Sequence, residues 1–303
     1  MTHQRPMRLR RVELAVPASN EKVMAKAAAS EADLVFLDNE DSVAPSAKVE
    51  SREKIVQALK NLDWSGKTTC VRINELGSEW AHEDIIHVVD NAHEQLDLIM
   101  VPKVRTPSDV LFVDTLLTGI EKKLKLTKTI GLEVLIEEVE AMINVEAIAR
   151  CTPRLEALIF GMGDYSASQG VDRKAIAAGE YPGDHWHYQR SKMVIACRAA
   201  GIEAVDGPQG NFRDTETYAR EAARARILGC VGKWAIHPVQ IPIALEAFTP
   251  LQEDVDLARR IVGTFKKAEA EGQGTIVIDG VMFDAASVRS RQNIVDRADL
   301  IGM

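Results

Sequence analysis

Residues 130–164 read IGLEVLIEEVEAMINVEAIARCTPRLEALIFGMGD, and the reading of this stretch decides the fold. Two short apolar runs, 130–136 (IGLEVLI) and 156–161 (EALIFG), flank EEVEAMINVEAIA, whose apolar residues recur at helical spacing. Strands that are nearly continuously apolar are buried on both faces, which marks a parallel sheet whose connections are helices. Working outward, the same unit recurs. Further strands are expected at 11–17 (RVELAVP), 33–38 (DLVFLD), 68–73 (TTCVRI), 97–101 (DLIMV), 202–206 (IEAVD) and 231–236 (VGKWAI). Between them stand amphipathic stretches such as SREKIVQALKNL, TPSDVLFVDTLLTGIEKKL and DTETYAREAARARILG. Eight strand–helix units place the chain in the α/β class and favour closure into a (β/α)8 TIM barrel over an open doubly wound sheet. After the first strand stands VPASN rather than G-x-G-x-x-G, and no G-x-x-x-x-G-K-[ST] occurs, so both common nucleotide fingerprints are missing.

The division expected is a catalytic barrel over residues 1–249 and a C-terminal extension over 250–303. The extension reads as a helix, one short strand (GTIVIDG) and a last helix (AASVRSRQNIVDRADLI). It is too small for a core of its own and should pack on the barrel or on a neighbouring chain.

Composition narrows the partners. The 303 residues are 46% apolar and 27% charged, ordinary for a globular chain. Lys and Arg total 37 against 45 Asp and Glu, a formal charge of −8, the wrong sign for a nucleic-acid footprint. No apolar run reaches the roughly 18–20 residues of a membrane span, and MTHQRPMRLRRVELAV has no signal-peptide core, so a cytoplasmic protein is expected. Cys70, Cys151, Cys197 and Cys230 form no C-x-x-C pair and no H-E-x-x-H is present, so neither disulfides nor zinc is signalled.

In such barrels the chemistry sits where the strands end. Strand two closes in Asp38-Asn39-Glu40-Asp41, strand three in Arg72 and Asn74, strand four in Pro102-Lys103, strand five in Glu137-Glu138, strand six in Gly161-Met-Gly-Asp164, strand seven in Asp206 and strand eight in His237. Carboxylates gathered at one mouth repel one another unless a cation neutralises them. Oxygen donors without Cys or His select Mg²⁺, or Mn²⁺, over zinc, and Glu137 and Asp164 on consecutive strands are the preferred ligands. Glu138 and Asp214 read as caps of the helices they precede. Arg72 can grip a carboxylate or a developing oxyanion, or form an internal ion pair with Glu40 or Asp41. Lys103 either neutralises the same acids or is ordinary surface, His237 is as readily a core histidine as a functional one, and Trp234 reads as packing.

At these residues a family comes into view. VPASNEKVMAKAAASEADLVFLDNEDSVAPSAK, VRIN, VPKV, GLEVLIEEVEAMINVEAIA, FGMGDYSAS, AVDGPQGNFRD, GKWAIHPVQI and GVMFDAASVRSRQNIVDRA resemble the citrate lyase β-subunit-like (HpcH/HpaI aldolase) superfamily, and within it the malyl-CoA/β-methylmalyl-CoA lyases. The resemblance covers nearly the whole chain. It implies a TIM barrel that uses Mg²⁺ to split a 3-hydroxyacyl-CoA such as malyl-CoA reversibly into acetyl-CoA and glyoxylate. It puts the metal on Glu137 and Asp164, the substrate arginine at Arg72, and the glyoxylate carboxylate against the backbone of Gly163 and Asp164. Coenzyme A contacts fall on Ala15, Asn20, Lys26, Ile236 and His237, and outer acids on Glu40 and Asp41. The extension becomes a lid over a neighbouring subunit's barrel that carries a catalytic Asp284, in a homotrimer or homohexamer. Asn39 departs from the family pattern and could alter water near the metal, Glu138 adds charge there, and AAGEYPGDHWHYQR could line the acyl pocket. Within the family, a malyl-CoA thioesterase and a citramalyl-CoA lyase are the alternatives; outside it, a non-catalytic acyl-CoA-binding subunit.

Overall fold

Eight parallel strands hydrogen-bond in sequence order and close on themselves. They are β1 Val12–Pro17, β2 Leu34–Asp38, β3 Thr68–Arg72, β4 Leu98–Val101, β5 Gly131–Ile136, β6 Leu155–Phe160, β7 Glu203–Asp206 and β8 Gly232–Ala235. Closure comes from β8 on β1, where Val12 stands opposite Lys233 and Leu14 opposite Ala235. Each expected strand lies within a residue or so of its expected place. The computed structural model describes residues 5–177 and 183–303. Within them the chain forms two units, one comprising the barrel, Arg10–Phe248, the other Thr249–Met303 with Met7–Leu9.

Alternation along the strands sorts the side chains into two cores. Val35, Leu37, Val71 and Ile99 face outward and pack with helical residues such as Ile55, Leu59 and Val88. Leu34, Phe36, Cys70, Leu98, Met100, Leu135, Ile159, Val205 and Trp234 form a second cluster made of strand residues alone, which is the barrel lumen. The same period of two runs Leu34–Phe36–Asp38 on β2, Cys70–Arg72 on β3 and Glu133–Leu135–Glu137 along β5. An apolar middle layer therefore separates two polar ends.

At the N-terminal end of the strands, Arg10 Nε donates to Glu133 at 2.8 Å and its Nη2 to Glu156 at 2.7 Å, while Trp234 Nε1 donates to Glu13 at 2.8 Å. All of these groups are buried. Burial, helped by the neighbouring Glu133, holds the Glu13 carboxyl well above the usual carboxylate range.

The second unit pairs the helices Gln252–Ala270 and Ala285–Ile301 with an antiparallel hairpin of β9 Thr275–Ile278 and β10 Val281–Asp284. Two strands stand where the sequence reading gave one. Asp279 and Gly280 connect them with φ of 51° and 78°, the two-residue left-handed turn for which Asp-Gly is suited. The expectation that this segment lacks a core also needs correcting. Ile261, Phe265, Ile276, Phe283, Val288 and Val295 bury one another in a cluster confined to the unit.

Where β8 meets the start of β1 the backbones approach so closely that a Cβ on Gly232 would run into the Arg10 carbonyl. Gly232→Ala should therefore lower stability by about 3 kcal/mol, read as a shifted denaturant midpoint at unchanged slope.

Candidate active site

The C-terminal ends of the strands surround a cavity of about 370 Å³, whose lining includes Asp38, Asp41, Arg72, Glu137, Gly161, Gly163, Asp164 and Trp234. Arg72, last residue of β3, is the central cation. Its inward position follows from the alternation of β3, and the register sets it beside Asp38 of β2. Nε and Nη2 each donate to Asp38 at 2.7 Å, a two-pronged pair, and Nη1 lies 3.2 Å from Glu40 and 3.8 Å from Asp41. Its main partner is thus Asp38, not the Glu40 or Asp41 expected. The guanidinium also stands 5.6 Å from the Trp234 ring and 5.9 Å from that of Phe36. Burial works to raise the Asp38 carboxyl, but Arg72 outweighs it and the group titrates below its ordinary range.

Glu137 follows β5 and is almost wholly buried. Its Oε1 accepts the backbone N–H of Lys103 at 2.7 Å. Its other oxygen lies against Gly161, where a Cβ would come within 2.7 Å of it, so the missing side chain is what gives Glu137 room. Burial pushes its carboxyl up to about 8 against the pull of Arg72, and nearby Asp164 adds to the rise. Asp164 sits exposed in the first turn of the helix Met162–Gln169, whose N-terminus opens on the cavity through Gly163. Lys103 is no bystander. Its ammonium donates to Glu40 at 2.5 Å and Asp41 at 3.1 Å. Even so, burial raises Glu40 to about 7.

Several expectations shift. Asp206 is not open to the mouth, because Lys233 donates to it at 2.6 Å and Arg190 at 2.7 Å, all three buried. Asn39 donates its side-chain amide to Asp84 at 3.1 Å and the Lys48 carbonyl at 3.3 Å. Glu138 makes no side-chain cap; its carboxylate accepts from Ser168 at 2.8 Å. Asp214 does cap its helix through the Thr217 N–H. His237 is exposed rather than in the core, and stacks on Phe212 with ring centres 4.3 Å apart. Trp234 packs on Phe36 at 4.5 Å, as expected, and also walls the cavity.

Of the residues suggested for coenzyme A, Ala15 and Ile236 line the cavity, whereas Asn20, Lys26 and His237 do not. The Asn20 side chain accepts the Val23 N–H as a helix cap, and Lys26 is exposed on that helix. Asp284 belongs to the second unit, where it accepts the Ser287 N–H at 2.9 Å and caps Ala285–Ile301. Of the segment 177–190, residues 178–182 lie outside the described residues; His185 and Trp186 line a neighbouring cavity of about 530 Å³. Asp38 and Gly161 were named at their strand ends but given no role, and both line the cavity. The signal for Asp38 was present, since Leu34, Phe36 and Asp38 share one face of β2.

Among the described residues no three His, Cys, Asp or Glu side chains gather as a metal cluster. Glu137 and Asp164 nonetheless fit a hard divalent cation. Both offer oxygen at one cavity, and Glu137 is a buried carboxyl whose charged form is compensated only in part by Arg72 and the Lys103 N–H, so that burial still raises it. Two carboxylates with water and substrate oxygens completing the sphere suit Mg²⁺. Metal-free protein should lose stability as pH rises from about 4.5 to about 8, because the folded state binds the Glu137 proton more tightly than the unfolded chain does. Glu137→Gln should flatten that loss by on the order of 4 kcal/mol, measured by denaturation in chelator at pH 5 and 9.

No helix among the described residues is long and apolar enough to cross a membrane. The model of the HpcH/HpaI aldolase/citrate lyase family matches residues 11–238. A Rhodobacter capsulatus protein named L-malyl-CoA/beta-methylmalyl-CoA lyase is 41% identical over 97% of this chain and 96% of its own. A citrate lyase structure from Burkholderia xenovorans superposes with a TM-score of 0.82 at 23% identity, covering 96% of this chain and 92% of the other, a likeness of fold. CitE from Mycobacterium tuberculosis, solved with magnesium, acetoacetate and coenzyme A, gives 0.74 at 27% identity over 95% of this chain and 97% of that one. The chain, whose eight barrel strands all fall within the matched residues 11–238 and whose barrel mouth gathers Glu137, Asp164 and Arg72, belongs to the HpcH/HpaI aldolase/citrate lyase family.

Proposed function

We propose that this chain is a Mg²⁺-dependent carbon–carbon lyase that reversibly cleaves (3S)-malyl-CoA, and β-methylmalyl-CoA, into glyoxylate and acetyl-CoA or propionyl-CoA. The observation that carries the reading is the convergence of Glu137, Asp164 and Arg72 on one cavity. The name of the relative at 41% identity supports the substrate class. Glu137 and Asp164 hold the metal, which when bound supplies Lewis-acid charge to the oxo acid's oxygens.

The chain's own groups do the rest. Backbone N–H groups of Gly163 and Asp164, at a helix N-terminus, orient the glyoxylate carboxylate. Arg72 has given Nε and Nη2 to Asp38, so Nη1 is the donor left for the thioester oxygen on which enolate charge develops. In the synthetic direction Asp284 takes a proton from the acetyl methyl, the enolate carbon bonds to the aldehyde carbon as the C=O π bond opens to an alkoxide, and the alkoxide takes a proton from water while Asp284 releases its own to solvent. Cleavage is the reverse: the C–C bond breaks, its electrons enter the enolate, and Asp284 returns the proton to carbon. The Ser287 hydrogen bonds hold Asp284 below its ordinary range where it stands exposed, and closure over an apolar thioester would raise it toward a useful base. Ala15, Asn20, Lys26, Ile236 and His237 contact coenzyme A, Glu40 and Asp41 act as outer acids, and residues 250–303 serve as a lid over a neighbouring subunit in a homotrimer or homohexamer.

Purified chain incubated with Mg²⁺, glyoxylate and acetyl-CoA or propionyl-CoA should form the C–C condensation products, detected by mass, and chelator should abolish them. Free malate released from malyl-CoA without glyoxylate would make the protein a hydrolase instead. Asp284→Asn should lower turnover at least about 100-fold while Mn²⁺ affinity holds. Gly161→Ala, by crowding Glu137, should weaken Mn²⁺ binding at least about tenfold, read by calorimetric titration.

A further inference from the structure

Among the described residues only Lys103, Lys125 and Asp279 combine a side chain with a positive φ. Lys125 ends a helix and Asp279 turns a hairpin, two places where left-handed backbone has a local use. Lys103, at φ 50° in the bend after β4, has neither. What its conformation accomplishes is visible only at the mouth: the backbone N–H meets Glu137 Oε1 at 2.7 Å while the ammonium meets Glu40 at 2.5 Å and Asp41 at 3.1 Å. Strained backbone persists where the surroundings hold it in place, and such places cluster at functional sites.

We propose that Lys103 is a two-armed positioning residue: its left-handed backbone aims an N–H that fixes the rotation of Glu137, and its ammonium competes with Arg72 for Glu40. The inference rests on the assignment of Glu137 as a metal ligand. With Oε1 engaged by the N–H, Glu137 keeps its other oxygen beside Gly161, on the cavity side where Asp164 stands. Glu40 is shared. One oxygen takes the Lys103 ammonium and the other lies 3.2 Å from Arg72 Nη1, the guanidinium nitrogen that Asp38 leaves unbonded. The stronger the hold of Lys103 on Glu40 and Asp41, the freer Nη1 is to meet a substrate oxygen.

The two arms separate by substitution. Glycine adopts φ near +50° without strain and keeps the N–H, whereas alanine has the same Cβ strain as lysine without the ammonium contacts that hold lysine in place, and so relaxes toward negative φ and rotates the N–H away. Metal-free protein is titrated calorimetrically with Mn²⁺, and the condensation turnover is measured alongside, for the parent, Glu137→Gln, Lys103→Gly, Lys103→Ala and Lys103→Arg. Lys103→Gly should bind Mn²⁺ within about threefold of the parent and Lys103→Ala at least about fivefold more weakly than Lys103→Gly, the reverse of the usual ranking of these residues. Both should lose at least about tenfold in turnover, and Lys103→Arg, which restores a cation, should recover most of it. Equal Mn²⁺ affinities for the glycine and alanine variants would overturn the backbone arm, and parental turnover in Lys103→Gly would overturn the ammonium arm. Parent binding that Glu137→Gln abolishes assigns any such failure to Lys103. A parent that takes up no Mn²⁺ removes the metal-site reading, and this inference with it.

Discussion

A guanidinium sealed under the barrel mouth is the constraint on which the site depends. Arg72 reaches Asp38 through two hydrogen bonds at 2.7 Å and lies over the lumenal rings of Trp234 and Phe36. Taking both charges from water is costly, and the pair persists because the geometry recovers that cost. Removing Arg72 would leave Asp38 buried without a cation beside it, a change worth about 3–5 kcal/mol in such settings. The pair also governs what can gather around it. Among the described residues the cations paired with Asp38, Glu40 and Asp41 are Arg72 and Lys103, and Glu137 and Asp164 add two more carboxyl groups, so the mouth holds more acidic groups than basic ones. That excess is the electrostatic argument for a divalent ion.

The barrel divides its polar groups by height. Along β5 the inward residues are Glu133, Leu135 and Glu137. Glu133 is bound to Arg10 at one end, and Glu137 accepts the Lys103 backbone N–H and feels the charge of Arg72 at the other. One is paired with a resident arginine at 2.8 Å; the other accepts a backbone N–H and lines the cavity. Asp206 follows the first pattern, held by Lys233 and Arg190, which ties β7, β8 and the helix His187–Ala200 into one platform beside the cavity.

Supporting contacts fix the loops that carry the site. Asp84 accepts from the Asn74 backbone and side chain, from Asn39 and from Arg52, joining the segments after β2 and β3. Lys48 donates to the carbonyls of Asn39 and Glu40. Glu40 and Arg72 are thereby presented by backbone that is itself held, which is what keeps a polar site in one geometry.

The strands, the helices and the placement of Glu137, Asp164 and Arg72 at strand ends were legible in the sequence, because an apolar run of strand length and a helical period are local properties that each segment carries by itself. The Asp-Gly turn between β9 and β10 was equally local and was passed over. Partnership was not local. Asp38 and Arg72 lie 34 residues apart and meet because the register of two neighbouring strands sets them side by side. Glu133 and Glu137, chemically alike and on one face, differ because only folding brings Arg10 to one and the Lys103 N–H to the other. Sequence determined which residues would reach the barrel mouth; tertiary structure decided which are neutralised there, since burial and ion pairing depend on neighbours that the chain assembles only in three dimensions.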